Sequence, residues 1–307
     1  MSVAQSSSRI ALKNIQLKNI LFLTDFSAPS EAALPFAAAI ARTYGAKVYA
    51  LNVIIPAMYL YTTPEYAGPA IEAEDECAKA EMCKVDAAFA GLPHEIIIER
   101  RIAVWSAVEQ ETKDYSIDLI VLGTHGRTGA EKFLLGSVAE EIFRLSRVPV
   151  LTIGPGVRTS IHSGGRFHRV LFATDFSPES LAAAPYAVSL AQENHARLVL
   201  LHVMQHPKVR NAEEETRFEL SVAEAIHRLY EIVPNGTELA YQLEVGVEYG
   251  PPAGRIVEAA RERHADLIVM GVRDAAGRLG AATHLERATA HRVVAHAGCP
   301  VLTARAR

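Results

Sequence analysis

The chain has 307 residues, half of them hydrophobic, and carries a net charge of −4 from 31 basic and 35 acidic side chains. This length gives room for two domains of ordinary size, and the near balance of charge argues against a general nucleic-acid binder, which would show a basic excess. No run approaches 18 apolar residues, which excludes a membrane span, and the three cysteines form no CxxC pair, which favours reduced thiols in a cytoplasmic protein.

The predicted elements of the first half alternate between strands and helices, which predicts right-handed crossovers and a parallel sheet covered on both faces. Residues 1–17 lack the apolar segment of a secretory signal and are predicted to be a flexible tail. Strands are predicted at Ile20–Thr24, Lys47–Ile54, Glu95–Ile102, Asp118–Gly123 and Val148–Ile153, helices at Glu31–Tyr44, Glu72–Ala90, Ser106–Tyr115 and Ser137–Ser146, and a loop at Pro56–Pro69.

The second half repeats this order after a segment rich in Gly and Ser, Gly154–His168, which contains the predicted linker. Its predicted strands are Arg169–Thr174, Arg197–Met204, Leu239–Val245, Asp266–Gly271 and Pro300–Thr303, and its predicted helices are Leu181–Asn194, Glu213–Glu231, Ala253–Arg263 and Thr289–Ala297.

An internal repeat accounts for this doubling. The segment ILFLTDFS from Ile20 is answered by VLFATDFS from Val170, DLIVLGTHG by DLIVMGVRD, and VPVLTI by CPVLTA. A period this long means two copies of a whole domain. The sequence therefore predicts an α/β fold of two tandem doubly wound domains, residues 18–155 and 168–307, joined by a linker at 156–167. Each is expected to hold a five-stranded parallel sheet flanked by helices.

A glycine-rich loop follows the fourth predicted strand. Gly123, Gly126, Gly136 and Ser137 obey the pattern G-x2-G-x9-G-[ST]. Gly123 and Gly126 would let the backbone turn and approach a phosphate, while Gly136 and Ser137 open a helix whose N–H groups favour an anion. In an open parallel sheet ligands bind beyond the carboxyl ends of the strands, so the loop predicts a phosphate site.

Side chains on this loop and on the first two strands extend the site. Arg127 and Lys132 would supply positive charge. Asp25 is placed to accept hydrogen bonds from a ribose or to help hold a divalent metal, and the backbone of Asn52–Val53 could bond an adenine edge. The crevice is thus predicted to take an adenine nucleotide.

These motifs, in this order, resemble those of the universal stress protein family over residues 18–155 and 168–305. Members with the glycine pattern typically bind ATP, and the resemblance implies an adenine-nucleotide alpha hydrolase-like fold whose domains pair through their last strands. ATP with Mg²⁺ or Mn²⁺ is the expected ligand. The family's contacts correspond to Asp25, Val53, Gly123, Gly126, Gly136 and Ser137, and the full candidate set adds Thr24, Thr124, Arg127 and Val138, with no catalytic residue and the metal ligands unknown.

The second copy departs from the pattern at its loop. Gly271 and Asp175 are retained, but Asp274 replaces Gly126 and would repel a triphosphate. The loop is three residues longer, so that Arg287 and Ala288 replace Gly136 and Ser137. We expect ATP binding to be lost here, while Arg273, Arg278 and Arg287 leave open another anion.

Structural roles compete with these interpretations. Asp25 and Asp175 could cap the helices that follow them; we favour capping for Asp175 and ligand contact for Asp25. The glycines could be turn residues alone, and His125 is expected to be a solvent-facing loop residue. His284, His291 and His296 lack the i, i+4 spacing of a helical metal pair.

The expected function is an ATP-binding stress-response regulatory protein, with nucleotide in the first domain acting as a conformational or partner switch. The alternatives are a slow ATPase or adenylylating enzyme of the related nucleotide-binding group, and a nucleotide-independent dimerisation module. The expected partners are ATP and the other half of the chain, in an internal pseudo-dimer. No nucleic acid or membrane is expected, and a further homodimer and the protein partner stay open.

Overall fold

The computed structural model describes residues 15–56, 64–124, 135–157, 166–206, 211–272 and 289–306. The first half alternates strand and helix as predicted. Its elements are β1 (Asn19–Leu23), α1 (Ala28–Tyr44), β2 (Lys47–Ile54), α2 (Pro64–Ala88), β3 (His94–Arg100), α3 (Val104–Asp114), β4 (Leu119–Gly123), α4 (Ser137–Leu145) and β5 (Val150–Ile153).

The second half repeats the order with one additional short helix. Its elements are β6 (Arg169–Ala173), α5 (Pro178–Leu181), α6 (Ala184–Asn194), β7 (Arg197–Met204), α7 (Ala212–Ile232), β8 (Glu244–Tyr249), α8 (Pro252–Glu262), β9 (Leu267–Gly271), α9 (Thr289–His296) and β10 (Val301–Ala304).

The ten strands form one sheet in the order β3-β2-β1-β4-β5-β10-β9-β6-β7-β8. Within each half all neighbouring strands are parallel. This confirms the predicted α/β class with its mostly parallel, helix-flanked sheets. The strand order reverses between β1 and β4, and again between β6 and β9, which is where open α/β sheets form ligand crevices.

The two halves meet through their last strands. β5 and β10 pair antiparallel, with Leu302 opposite Leu151. The buried hydroxyl of Thr152 donates to the Val301 carbonyl over 3.0 Å, and that of Thr303 donates to the Val150 carbonyl over 3.3 Å. Each half would otherwise end in an apolar sheet edge, and the pairing covers both edges at once.

Buried side chains cover both faces of the sheet because successive strand residues point to opposite sides. Ile20 and Phe22 lie in the layer under α1, α2, α6 and α7, and Leu21 lies in the layer under α3, α4, α8 and α9. Among the described helices, none is long and apolar enough to cross a membrane.

Three predicted boundaries were wrong. β8 begins at Glu244 and not at Leu239, because pairing with β7 sets its register from Val199 opposite Glu244. The predicted loop at Pro56–Pro69 overlaps α2, which starts at Pro64 and contains Pro69. The helix predicted at Leu181–Asn194 is interrupted after Leu181, and α6 begins at Ala184 with Pro185 in its first turn, where a missing backbone N–H is tolerated.

Candidate nucleotide-binding site

A tight turn joins β1 to α1 at the carboxyl edge of the first half. The Asp25 carboxylate accepts hydrogen bonds from the Ser27 backbone N–H at 3.1 Å and the Ser27 hydroxyl at 2.6 Å. Phe26 adopts a left-handed backbone with φ of 62°, and its N–H donates to the Thr24 hydroxyl. Ser27 in turn caps α1 by accepting from the N–H of Ser30. Asp25 and Thr24 are thus held by the turn itself.

The second half builds the same turn from the same residue types. Asp175 accepts from the Ser177 N–H at 3.0 Å and from the Ser177 hydroxyl at 2.5 Å, and Phe176 also has a φ of 62°. The capping role that we expected for Asp175 is therefore wrong: Ser177 caps the helix, and Asp175, like Asp25, holds the cap residue in place. This turn cannot by itself distinguish a nucleotide-binding half from one that has lost binding.

The backbone of Val53 faces the crevice beside β1. The Leu51 carbonyl accepts from the N–H of Thr24, on the β1 side of β2. Backbone groups of a strand alternate in direction, so those of Val53 also point to the β1 side, beyond Leu23, the last residue of β1. The Ile54 carbonyl confirms the alternation, since it accepts from Arg101 on the β3 side. Val53 can therefore offer a backbone donor and acceptor to a planar ring.

The residue before Val53 differs between the halves. The side-chain amide of Asn52, a buried residue, donates to the Thr24 carbonyl over 2.9 Å. In the second half, Nδ1 of His202 lies 2.8 Å from the Thr174 carbonyl, and the imidazole lies against the Phe176 ring with a centroid distance of 4.5 Å. The second crevice thus carries an aromatic wall where the first carries an amide.

Gly123 lies in contact with the start of α1. A Cβ at this position would lie 2.5 Å from the Pro29 carbonyl oxygen, and one at Gly271 would lie 2.1 Å from that of Glu179. Real Cβ atoms essentially never approach so closely, so each glycine is required by helix packing on its own strand. This explains why Gly271 is retained in the second half. A substitution at Gly123 cannot separate packing from a phosphate contact.

The end of β4 is tied to the start of α4. The N–H of Gly136 donates to the Thr124 carbonyl over 2.8 Å, and the N–H of Thr124 donates to the Ile153 carbonyl over 2.9 Å. Thr124 is fully buried. Gly136 is the N-cap residue of α4, with an extended backbone (φ −62°, ψ 149°) that any residue type can adopt. A glycine here is therefore not required by the backbone dihedrals and leaves the helix start uncovered by a side chain.

Ser137 and Val138 form the first turn of α4, where N–H groups have no intrahelical partner. No described residue accepts a hydrogen bond from either N–H. By contrast, the start of α1 is capped by Ser27 and has the Asp25 carboxylate beside it. An anion is therefore favoured at the start of α4 and disfavoured at the start of α1.

The central part of the glycine loop lies outside the described residues, and so do its counterparts in the second half. The predictions for Gly126, Arg127, His125 and Lys132 therefore stay predictions. The same holds for Arg273, Asp274, Arg278, His284, Arg287 and Ala288.

Two carboxylates near Val53 were missed by sequence reasoning. Glu99 lies opposite Val53 in the sheet, pairs with Arg101 at 2.8 Å, and is hydrogen-bonded to the buried Glu111 of α3. Burial, and then the hydrogen bond and charge of Glu99, raise the pKa of the Glu111 carboxyl to about 7. The two glutamates come from a strand and a helix that are distant in sequence, so no local pattern joins them.

The second half keeps the strand glutamate but pairs it with two arginines. Glu248, opposite Val203 in the sheet, bonds the Arg263 guanidinium at 2.7 Å and the Arg255 guanidinium at 2.6 Å. These bonds, Arg263 first, hold the pKa of Glu248 below its usual value. The two crevices are therefore bordered by different charge arrangements.

The outer rims differ as well. In the first half Arg100, at the end of β3, pairs with Glu74 and Asp75 at 2.7 Å each. At the corresponding end of β8, Tyr249 contacts the Phe218 ring, with a centroid distance of 5.5 Å. An ionic rim in one half is thus matched by an aromatic rim in the other.

Comparison with known proteins identifies one family that matches both halves of the chain. The model of the Universal stress protein family matches residues 16–154 and again residues 166–305. A universal stress protein of Mycolicibacterium smegmatis is 27% identical over 300 residues, covering 94% of this chain and 97% of its own length. One from Methanocaldococcus jannaschii is 32% identical over 143 residues, 45% of this chain and 82% of its own.

A solved structure has the same fold over almost the whole chain. The crystal structure of a universal stress protein from Archaeoglobus fulgidus superimposes with a TM-score of 0.65 at 24% identity, covering 94% of this chain and 96% of that one. The family model matches each half of the sequence in turn. The chain therefore belongs to the universal stress protein family, with two of its domains in tandem.

Proposed function

We propose that this protein is an ATP-binding regulator that holds one nucleotide in the crevice of its first half. The observation that carries the proposal is the joint between β4 and α4, where Thr124 holds Gly136 in place and the helix start is left open to an anion. This joint stands at the reversal of strand order between β1 and β4, where nucleotides bind in open α/β sheets.

The crevice offers groups for each part of the nucleotide. The backbone of Val53 faces the space beside β1 and suits an adenine edge. Asp25 lies at the end of β1, where its carboxylate could accept a ribose hydroxyl. Ser137 and Val138 at the start of α4 would meet the phosphates through their N–H groups. Thr24, after β1, and Gly123, at the end of β4, line the crevice between these groups.

A divalent ion would be held mainly by the nucleotide itself. No cluster of three or more metal-binding side chains exists among the described residues. Mg²⁺ usually keeps several waters and binds through phosphates and one or two carboxylates. Among the described candidate contacts Asp25 is the one carboxylate, so we propose that Mg²⁺ or Mn²⁺ enters together with ATP.

Regulation is favoured over catalysis by the kind of groups that line the site. Apart from the Asp25 carboxylate, the proposed contacts among the described residues are backbone groups, glycines and hydroxyls, and none of them is a nucleophile positioned for phosphoryl or adenylyl transfer. We therefore propose binding with at most slow hydrolysis, in the cytoplasm, where the exposed thiols of Cys77 and Cys83 would stay reduced.

We infer further that the halves form an internal pseudo-dimer. The hydroxyl bonds of Thr152 and Thr303 are reciprocal, each reaching the strand of the other half, as expected for a twofold relation. The Tyr44 hydroxyl of α1 also lies 3.1 Å from the Ser189 hydroxyl of α6. Nucleotide occupancy in one half could act on the other through these contacts.

Calorimetric titration with ATP and Mg²⁺ tests the proposal. The wild-type chain should bind one ATP. Gly136→Val should weaken this binding at least tenfold, because its side chain would cover the start of α4. Asp25→Asn and Asp175→Asn are a matched pair, because both side chains hold the same turn, and only Asp25→Asn should weaken binding. Unchanged affinity in both Gly136→Val and Asp25→Asn would refute the site, and two equal sites would refute the loss in the second half.

A further inference from the structure

A cavity of about 540 Å³ lies where the two halves meet, apart from the groups proposed to bind nucleotide. Its floor is apolar and includes the buried Phe36 of α1, Phe167 before β6, and Cys299 before β10. Its rim carries the exposed cations Arg166 and Arg261. Ligand pockets typically span roughly 300–1,000 Å³ with an apolar lining and a few polar groups, so this cavity has the size and composition of a binding site.

Two glycines follow β5 where the chain passes the end of α9. Gly154 follows β5, and a Cβ there would lie 3.7 Å from the Val294 carbonyl of α9. Gly156, two residues on, lines the cavity. The corresponding position after β10 is Arg305, whose guanidinium donates to the Phe143 and Arg144 carbonyls at the end of α4. An arginine thus covers the end of α4, whereas the chain beside α9 carries no side chain at Gly154 or Gly156.

The charges around the cavity favour an anion. Asp266 is the carboxylate in its described lining, and its two oxygens accept the backbone N–H groups of His168 at 2.6 Å and Arg169 at 2.9 Å. Arg166, Arg261 and His264 have no ion pair with any described residue. Two guanidinium groups therefore face the cavity against one carboxylate that is already hydrogen-bonded.

The thiol in the floor is a packing group and not a nucleophile. Burial, and then the charge of Asp266, raise the pKa of the Cys299 thiol to about 12. A thiol that stays protonated is unreactive. The floor therefore contributes apolar contact, and the specificity of the cavity comes from its arginines.

We propose that this cavity binds a small organic anion with an aromatic or branched apolar body, at a site separate from the nucleotide crevice. The apolar part would lie on Phe36 and Phe167, and the acid group would meet Arg166 and Arg261. The antiparallel joint of β5 and β10 brings the amino ends of the second half's strands to the edge where the first half's crevice opens. Nucleotide and anion could therefore be bound on one edge of the molecule together.

The test uses the anionic probe 1-anilinonaphthalene-8-sulfonate on the full chain with saturating ATP, read by fluorescence and by calorimetric stoichiometry. We expect one saturable probe site per chain. The double variant Arg166→Ala/Arg261→Ala should weaken probe binding at least tenfold. Lys113→Ala is the matched control, since Lys113 occupies in the last turn of α3 the place of Arg261 in α8, and it should leave binding unchanged.

A second variant blocks the cavity without removing charge. A Cβ at Gly298, which lines the cavity, meets no atom within 4 Å, so Gly298→Phe should fold and should weaken the probe at least tenfold. Gly68→Phe, at an equally open exposed glycine of α2, is its control. Equal probe affinity in all four variants would overturn the proposal, as would a wild-type probe affinity at least tenfold weaker with saturating ATP than without it. Loss of ATP binding with probe binding intact would instead contradict only the proposed function.

Discussion

Gly123 stands so close to Pro29 that a Cβ on the glycine would lie 2.5 Å from the proline carbonyl oxygen and 2.6 Å from its carbon. The contact joins the end of β4 to the first turn of α1. Gly271 stands in the same relation to Glu179 at 2.1 Å. A motif glycine that the sequence pattern assigns to a phosphate contact is thus required by helix packing, in both halves.

Gly123→Ala and Gly271→Ala should both destabilise the protein, by roughly 1–3 kcal/mol each, because the added methyl group forces the helix away from the strand. Urea unfolding would measure the change. Gly68→Ala in α2, where a Cβ meets nothing, is the control and should be neutral or stabilising by about 0.5–1 kcal/mol. A destabilisation confined to Gly123 would contradict the packing explanation.

Removing the helix caps should cost the same in each half. Ser27→Ala and Ser177→Ala each delete the acceptor for the N–H of Ser30 or Ser180, and the expected loss is about 1 kcal/mol each. Thermal unfolding monitored by circular dichroism would show it. Ser106→Ala, at an exposed serine that bonds only the Ala103 carbonyl, should change the midpoint much less.

Glu111→Gln should stabilise the protein at neutral and higher pH. The pKa of Glu111 is raised from 4.5 to about 7, so its protonated form is favoured in the fold. That contribution to stability is fully present below pH 4.5 and is lost as the pH rises through about 7. Above that pH the glutamine, which mimics the neutral acid, should gain on the order of 2–3 kcal/mol.

The pH dependence of urea unfolding checks this prediction. At and below pH 4.5, the unperturbed value, wild type and variant should be nearly equal. Glu109→Gln, on the exposed side of the same helix, is the control and should show no comparable gain. The charge of Arg101 lowers the pKa of Glu111, whereas those of Glu99 and Asp114 raise it. Arg101→Ala should therefore raise this pKa and shift the midpoint of the change in stability to higher pH.

Thr152→Val and Thr303→Val should weaken the joint between the halves. Each removes a buried hydroxyl that donates to the opposite strand, a loss of about 1 kcal/mol each. Thr112→Val is the matched control, because the buried hydroxyl of Thr112 has no hydrogen-bond partner among the described residues and its removal should be neutral or stabilising. Chemical unfolding followed by tyrosine fluorescence would compare the three; equal effects would contradict the assignment.

The fold could be predicted where a local pattern determines the element. Apolar runs identified β1, β4 and β5 and their repeats, because strands buried on both faces need such runs. β8 was placed five residues early, since alternation extends from Leu239 to Val247 and only pairing with β7 selects the register. The start of α2 was predicted too late because Pro64 and Pro69 favour a loop, although both lie in the helix.

The site could be predicted in part for the same reason. The glycine pattern and the Thr-Asp-Phe-Ser turn are local, and the crevice between β1 and β4 follows from the topology. The contact of Gly123 with Pro29, the pair of Glu99 with Glu111, and the approach of Gly154 to α9 each join elements far apart in sequence. No pattern within one element carries such information.

The antiparallel pairing of β5 with β10 gives the sheet two different ends, called poles here. A sheet whose halves run in opposite directions sends the carboxyl ends of β1 and β4 to one pole and those of β6 and β9 to the other. Duplication of the domain has therefore placed the two crevices at opposite ends of the sheet, separated by the length of a strand. A substitution in one crevice then lies far from the other.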